Sequence, residues 1–200
     1  MATHSRHALA ETACTAFDGL RRIASGPLNR VAVKAKAAFD RGGIVLIFDD
    51  ETAEVIDLDY SGTAKDVMRR LEGEASAPAP PVTPRGRGRP RLGVVSREVT
   101  LLPRQWTWLS GQPGGASVTL RRLVDDARRA NAGKDRVRRS QEVTYRFMAA
   151  LAGDLPGFEE ANRALFAADV DAFQAHVAAW PPDVIAFVRR LSDEVFSGGK

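Results

Sequence analysis

The chain of 200 residues is long enough for one domain of ordinary size or for two small domains joined by a linker. Its hydrophobic fraction of 44% and charged fraction of 27% are typical of a soluble globular protein, and no run approaches the roughly 20 apolar residues that a membrane helix needs. The single cysteine, Cys14, excludes an internal disulfide and suits a reducing compartment. We therefore expect a cytoplasmic protein that does not enter a membrane.

The positive charge is concentrated in the middle third of the chain. Residues 76–140 carry 14 Lys and Arg against 4 Asp and Glu, a net charge of +10, whereas residues 1–75 have a net charge of −2 and residues 141–200 one of −4. Thirteen of those 14 cations are arginine. A local field of that sign predicts a polyanionic partner such as a nucleic acid.

Residues 12–73 predict a small ββαββα domain in a chain of the α+β class. We expect an antiparallel sheet with helices covering one of its faces. The predicted elements are a hairpin turning at Asp18-Gly19, a helix that opens at Pro27 and ends before Gly42-Gly43, a buried strand at 44–48, a returning strand at 55–59 and a helix at about 63–71.

An acidic cluster surrounds the turn between the two later strands. It lacks the spacing of a calcium-binding loop, and no histidine lies nearby. We therefore interpret it as a solvated turn and expect no metal site. Its members are Asp49, Asp50, Glu51, Glu54, Asp57 and Asp59.

Residues 74–93 predict an extended linker, because the stretch from Glu74 through Pro84 contains four prolines and has little apolar content. The linker ends in an arginine run with no acidic residue. This run resembles an AT-hook, whose core pattern stands here as Arg87-Gly88-Arg89-Pro90, and the resemblance implies binding in a narrow A·T-rich minor groove. The candidate DNA-binding residues are Arg85, Gly86, Arg87, Gly88, Arg89, Pro90 and Arg91.

Residues 94–131 predict a strand, a helix beginning at Pro103, a glycine-rich turn and a second helix from about Ala116. This order resembles the ribbon-helix-helix DNA-binding proteins of bacteria, in which two chains pair their strands into a ribbon that enters the major groove. The resemblance implies a homodimer and makes Arg97 a further candidate DNA contact. The adjacent Leu101 and Leu102 depart from the alternation of that family, so a helix-turn-helix or a plain packing hairpin, with Trp106 in the core and Trp108 on the surface, is equally compatible.

The second helix of this basic module has an apolar face and a charged face. Ion pairs are predicted across the charged face at four-residue spacing, between Arg121 and Asp125, Arg122 and Asp126, and Asp125 and Arg129. The apolar face carries Leu120, Leu123, Val124 and Ala127.

Residues 134–197 predict four short helices joined by tight turns, which is the pattern of a helical bundle. Their aromatic side chains recur at core spacing, so we expect them to pack against one another. They are Phe147, Phe158, Phe166, Phe173, Trp180 and Phe187.

Catalytic signatures are missing from the sequence. It has no P-loop, no nucleophile elbow and no dinucleotide-binding pattern after a strand. The three histidines, His4, His7 and His176, form no evident metal set or catalytic dyad, and Cys14 is expected to be a small buried thiol. We therefore expect a protein that is not an enzyme and uses neither a cofactor nor a small-molecule substrate.

Several phrases spread over the chain are similar to an uncharacterised bacterial family, the domain of unknown function DUF2239. That resemblance implies no activity. The phrases are Arg22-Ile-Ala-Ser-Gly-Pro-Leu, Gly88-Arg-Pro-Arg-Leu-Gly-Val-Val, Glu98-Val-Thr-Leu-Leu-Pro-Arg, Tyr145-Arg-Phe-Met and Leu155-Pro-Gly-Phe-Glu-Glu-Ala.

The residues themselves favour a DNA-binding protein, either a transcriptional regulator or a chromosome-associated protein located at the nucleoid. The alternative is a protein-interaction or scaffold module whose basic segment meets an acidic partner or RNA. A third hypothesis, an enzyme using the α+β domain, has no motif in its favour.

Overall fold

The computed structural model describes residues 10–75, residue 95 and residues 97–197, and it begins with the predicted hairpin. Strands β1 (Ala13–Asp18) and β2 (Arg21–Pro27) pair antiparallel, and Gly19 takes the positive φ of 55° that the two-residue turn requires. Strand β3 (Val45–Asp49) pairs antiparallel with the other edge of β1. The three-stranded sheet therefore has the order β2-β1-β3, with β1 in the centre.

Two helices cover one face of this sheet. Helix α1 (Leu28–Phe39) follows directly after Pro27, and α2 (Ala64–Ala75) begins with a capping box. In that box the hydroxyl of Thr63 accepts a hydrogen bond from the Asp66 amide, and the Asp66 carboxylate accepts one from the Thr63 amide. The core on this face consists of Cys14, Ala16, Leu28, Val31, Ala32, Ala35, Ile47, Val67 and Leu71.

The fourth strand predicted at 55–59 does not form. A single bridge joins Val55 to Phe48, and the chain then leaves the sheet. The carboxylate of Asp49 accepts hydrogen bonds from the amides of Glu51 and Thr52 at 2.8 Å, which tightens the turn before Val55. Beyond the bridge, the side chains of Ile56, Leu58 and Tyr60 pack against the α1–α2 core, so hydrophobic contact takes the place of strand pairing.

The C-terminal helices cover the opposite face of the sheet. The sequence had predicted helices on one face only, so the sheet is covered on both faces where one was expected. Because side chains alternate along a strand, Phe17 and Phe48 point away from α1 and α2 and join the aromatic core of the C-terminal helices. Phe147 lies at the centre of this core, with its ring centroid 4.9 Å from that of Phe48 and 4.5 Å from that of Phe187. Residues up to 75 and residues from 135 onward therefore form one compact unit, with the sheet between two helical layers.

The four helices predicted in this second layer form, and a fifth, short helix follows them. They are residues 135–151 of a long helix α4 (Gly115–Leu151), α5 (Phe158–Ala167), α6 (Val170–Val177), α7 (Pro182–Leu191) and the unpredicted α8 (Asp193–Ser197). Gly157 precedes α5 in the left-handed conformation, and Asp169 caps α6 through the amide of Ala172.

The described residues from 95 to 134 belong to a second compact unit. Helix α3 (Pro103–Ser110) begins at the predicted proline, and a turn at Gly111–Gly114 leads into α4 (Gly115–Leu151). Residues 97–102 form no strand within this chain. Helix α4 continues through Gly133, where the sequence pattern had suggested a break between helices.

None of the helices in the described part of the chain has the length and hydropathy needed to cross a membrane.

Candidate nucleic-acid interface

The hook residues Arg85, Gly86, Arg87, Gly88, Arg89, Pro90 and Arg91 lie outside the described residues, so their role stays a prediction. Arg97 is described and exposed. It makes no ion pair and no side-chain hydrogen bond with any other residue that the structure describes. No described residue therefore competes with an external acceptor, such as a phosphate, for its guanidinium.

Helix α3 presents a cation together with two aromatic rings. Its start is held by Gln105, whose side-chain oxygen accepts a hydrogen bond from the Leu102 amide at 2.8 Å. Leu109 is buried, whereas Arg104 is exposed and the Trp106 and Trp108 side chains are 40% and 52% exposed. The packing-hairpin alternative placed Trp106 in the core, but an eight-residue helix buries only one narrow stripe, and Leu109 occupies it.

The first half of α4 is a solvent-exposed basic helix. Every residue from Arg121 to Lys134 is exposed. The ion pairs form at three-residue spacing, from Asp125 to Arg128 at 3.8 Å and from Asp126 to Arg129, and not at the predicted four-residue spacing. Residues three apart and residues four apart are both neighbours on a helix surface, so each aspartate can pair with an arginine at either spacing.

Five cations in this second unit have no acidic partner among the described residues. They lie on different elements, one before α3, one on α3 and three on α4. They are Arg97, Arg104, Arg121, Arg122 and Lys134, and Arg121 donates instead to the Ser117 carbonyl at 3.1 Å. Exposed unpaired cations can meet phosphates without first breaking an internal ion pair, and such contacts are independent of base sequence.

A family model described as "Uncharacterized protein conserved in bacteria (DUF2239)" matches residues 13–192. The chain belongs to the DUF2239 family. Neither the curated proteins nor the solved structures include a match to it. The part of this DUF2239 chain that matches contains the hook, Arg97 and the whole basic helix, and family membership brings no activity with it.

The DUF2239 chain also has a charged cleft of about 300 Å³ in its first unit. Arg190 binds Asp50 at 2.9 Å and Arg136 approaches Glu194 to 3.4 Å, while the Ser140 hydroxyl donates to the Leu191 carbonyl at 2.5 Å. Three arginines and three carboxylates line the cleft, so its formal charge is balanced. The lining residues are Asp50, Glu51, Arg136, Arg139, Ser140, Val143, Arg190, Leu191 and Glu194.

Three carboxylates of the acidic cluster of the DUF2239 chain accept internal hydrogen bonds. Asp49 caps the turn, Asp50 accepts from Thr15 and Arg190, and hydrogen bonds from Ser61 hold the pKa of Asp59 below its ordinary value. Within the described ranges, no three metal-binding side chains gather into a group that could hold an ion. Glu51, Glu54 and Asp57 are exposed, as a solvated turn predicts, whereas Asp50 is only 20% exposed and contacts other parts of the chain.

Cys14 is a buried thiol, as predicted from the sequence. Burial, reinforced by the charges of Asp50 and Asp49, raises the pKa of Cys14 to about 12. The thiol is therefore protonated at neutral pH and is a poor nucleophile.

Proposed function

We propose that this DUF2239 protein binds DNA as a transcriptional regulator or a chromosome-associated protein of the nucleoid. The arginine hook would enter an A·T-rich minor groove, and the unpaired cations of the second unit would contact phosphates beside it. The observation that carries the proposal is the net charge of +10 within residues 76–140, between two regions that are each net acidic.

The exposure of the basic residues supports this function. Arginines with a structural role commonly form ion pairs. Arg97, Arg104 and Arg122 instead face solvent without an acidic partner among the described residues. The exposed rings of Trp106 and Trp108 add apolar surface beside these charges. A surface of this kind fits a polyanion better than it fits a neutral protein partner.

The chain length between the two proposed contacts suits one duplex. Six residue steps separate Arg91 from Arg97, which span at most about 20 Å when fully extended. That distance corresponds to roughly six base pairs along the helix axis. Binding at the hook would hold Arg97 near the next phosphates at a high effective concentration, so the two weak contacts reinforce each other.

A competition experiment tests the proposal. The full-length protein is bound to a fluorescent A·T-rich duplex and challenged with unlabelled A·T-rich duplex, G·C-rich duplex and an RNA hairpin of equal length. We expect the A·T-rich duplex to compete best and the affinity to fall steeply with salt. Equal competition by all three would indicate phosphate attraction without groove recognition and would favour the alternative, a module that meets RNA or an acidic partner.

A further inference from the structure

Three elements wall the charged cleft of the first unit, and each wall carries a different charge. The wall formed by α4 is basic, the wall formed by the turn after β3 is acidic, and the wall formed by α7 and α8 carries one charge of each sign. The cleft therefore has a basic side and an acidic side, although its formal charge is balanced. The charged residues are Arg136 and Arg139 on α4, Asp50 and Glu51 in the turn, and Arg190 and Glu194 on the third wall.

Two ion pairs neutralise four of these six charges. Arg190 binds Asp50 of the turn at 2.9 Å, and Glu194 lies 3.4 Å from Arg136 of α4. The third wall thereby cancels one charge on each of the other two walls. The Arg190 guanidinium is held further by the Phe187 ring, whose centre lies 4.5 Å away. The polarity that remains in the cleft comes from the two charges left over.

Arg139 on the basic side and Glu51 on the acidic side keep their charges uncompensated. Both side chains are exposed, and neither forms an ion pair or a side-chain hydrogen bond with any residue in the described part of the chain. They form no ion pair with each other either, so the space of the cleft separates them. A free cation and a free anion on different walls of one cleft are complementary to a ligand that carries both signs of charge.

The cleft also has an apolar part to its lining. Val143 and Leu191 line it and are themselves only 8% and 9% exposed. The Ser140 hydroxyl donates to the Leu191 carbonyl, which joins α4 to the end of α7 at the cleft. The volume of about 300 Å³ lies at the lower end of the range for small-molecule pockets. A short aliphatic chain would cover the apolar part and fit this volume.

We propose that this cleft binds a small zwitterion with a carboxylate and an ammonium group at the two ends of a short aliphatic chain. Arg139 binds the carboxylate, Glu51 binds the ammonium group, and the methylene groups cover Val143 and Leu191. A simple anion at Arg139 would be repelled by the three carboxylates of the cleft, and a simple cation at Glu51 by its three arginines. This ligand site goes beyond the DNA-binding function and does not depend on it.

Amino acids that differ in the spacing of their two charges test the site. The full-length protein is titrated with glycine, γ-aminobutyrate and ε-aminocaproate, and with acetate and methylammonium as probes of a single charge, at constant ionic strength and without DNA. Binding is measured by isothermal titration calorimetry and by the shift in Tm. We expect γ-aminobutyrate or ε-aminocaproate to bind and to raise Tm, whereas glycine, acetate and methylammonium do not.

Substitution of the two free charges gives the decisive result. Arg139→Gln and Glu51→Gln should each weaken binding of the preferred probe about tenfold or more, because each removes one of its two charged partners. The matched controls Arg189→Gln and Glu54→Gln remove the same charges from exposed positions outside the cleft and should leave the affinity unchanged. Arg139→Glu with Glu51→Arg exchanges the two free charges, so this double variant should bind the probe in the reverse orientation.

Circular dichroism shows that each variant has folded. The proposal is overturned if neither long probe binds, or if binding survives in both glutamine variants or is absent from the exchanged variant. Equal stabilisation by glycine would overturn it by indicating a general solute effect. Equal binding of acetate or methylammonium would overturn it by indicating an adventitious ion only. None of these outcomes bears on the A·T preference measured with DNA.

Discussion

Arg190 binds Asp50 with 2.9 Å between Nη2 and Oδ1, joining the C-terminal end of α7 to the turn after β3 across 140 positions of sequence. The same carboxylate oxygen accepts a hydrogen bond from the Thr15 hydroxyl at 2.7 Å. The Arg190 guanidinium also lies 4.5 Å from the centre of the Phe187 ring, a cation–π arrangement. Asp50 thus links the central strand, the acidic turn and the second helical layer.

Replacing Asp50 with alanine should destabilise the fold. The Asp50 side chain is only 20% exposed, and its loss removes the acceptor of Arg190 and leaves Thr15 with Ser25 as its side-chain partner. We expect the free energy of unfolding to fall by about 1–3 kcal/mol in urea denaturation. Glu160→Ala is the matched control, because its ion pair with Arg163 is exposed on both sides and its removal should change stability by less than about 1 kcal/mol.

Truncating Phe147 should have a larger effect. Its ring is fully buried and contacts the rings of Phe17, Phe48 and Phe187, with centroid separations of 5.5, 4.9 and 4.5 Å. Phe147→Ala should cost about 3–5 kcal/mol, measured by chemical denaturation. Phe166 is 53% exposed, and equal losses from Phe166→Ala and Phe147→Ala would contradict the position of the core.

Gly133 should tolerate a helix-favouring substitution. It lies inside α4, does not have a positive φ, and an added Cβ would meet no atom within 4 Å. Gly133→Ala should therefore raise the free energy of unfolding by about 0.5–1 kcal/mol and increase the helical signal slightly. A loss of stability would mean that the helix is interrupted at this residue in solution.

Stability should decline in strongly alkaline solution because of Cys14. Burial raises the pKa of Cys14 from 9.0 to about 12, so the unfolded chain loses the thiol proton first as the pH increases. The free energy of unfolding is therefore unaffected by this thiol below about pH 9 and falls as the pH rises from 9 to 12. Cys14→Ala should flatten this decline; the remaining slope has a contribution from Tyr60, since burial raises its pKa to about 12 as well.

Native protein should also resist alkylation of Cys14. Iodoacetamide requires the exposed thiolate, so mass spectrometry should show modification only after denaturation at neutral pH. Rapid labelling of the folded protein would show that the strand is open at Cys14.

Substitution of the hook should weaken DNA binding selectively. Arg87→Ala with Arg89→Ala should reduce affinity for an A·T-rich duplex at physiological salt by several-fold or more and remove the preference over a G·C-rich duplex. The matched control is Arg163→Ala with Arg189→Ala, which removes the same charge from exposed positions in the acidic C-terminal third. Unchanged affinity in the hook variant, measured by fluorescence anisotropy, would exclude the hook as a DNA contact.

Local signals in the sequence determined the element types, the family and the concentration of charge. The Asp18-Gly19 turn, the proline starts of α1 and α3 and the buried Cys14 each depend on a few neighbouring residues or on residue type, and the structure confirms them. The net charge of +10 in residues 76–140 is likewise a property of the chain and needs no fold. These features are readable because propensity, periodicity and charge act over short distances.

Only the tertiary structure decided which surfaces meet. Residues 55–59 have strand character, yet Ile56, Leu58 and Tyr60 pack against the core formed with α1 and α2. The sheet therefore has three strands. The sequence placed Phe17 and Phe147 in separate regions. They lie in one aromatic core because both faces of the central strand carry apolar side chains. Such contacts depend on the free energy of burying distant surfaces together, which no local pattern of residues contains.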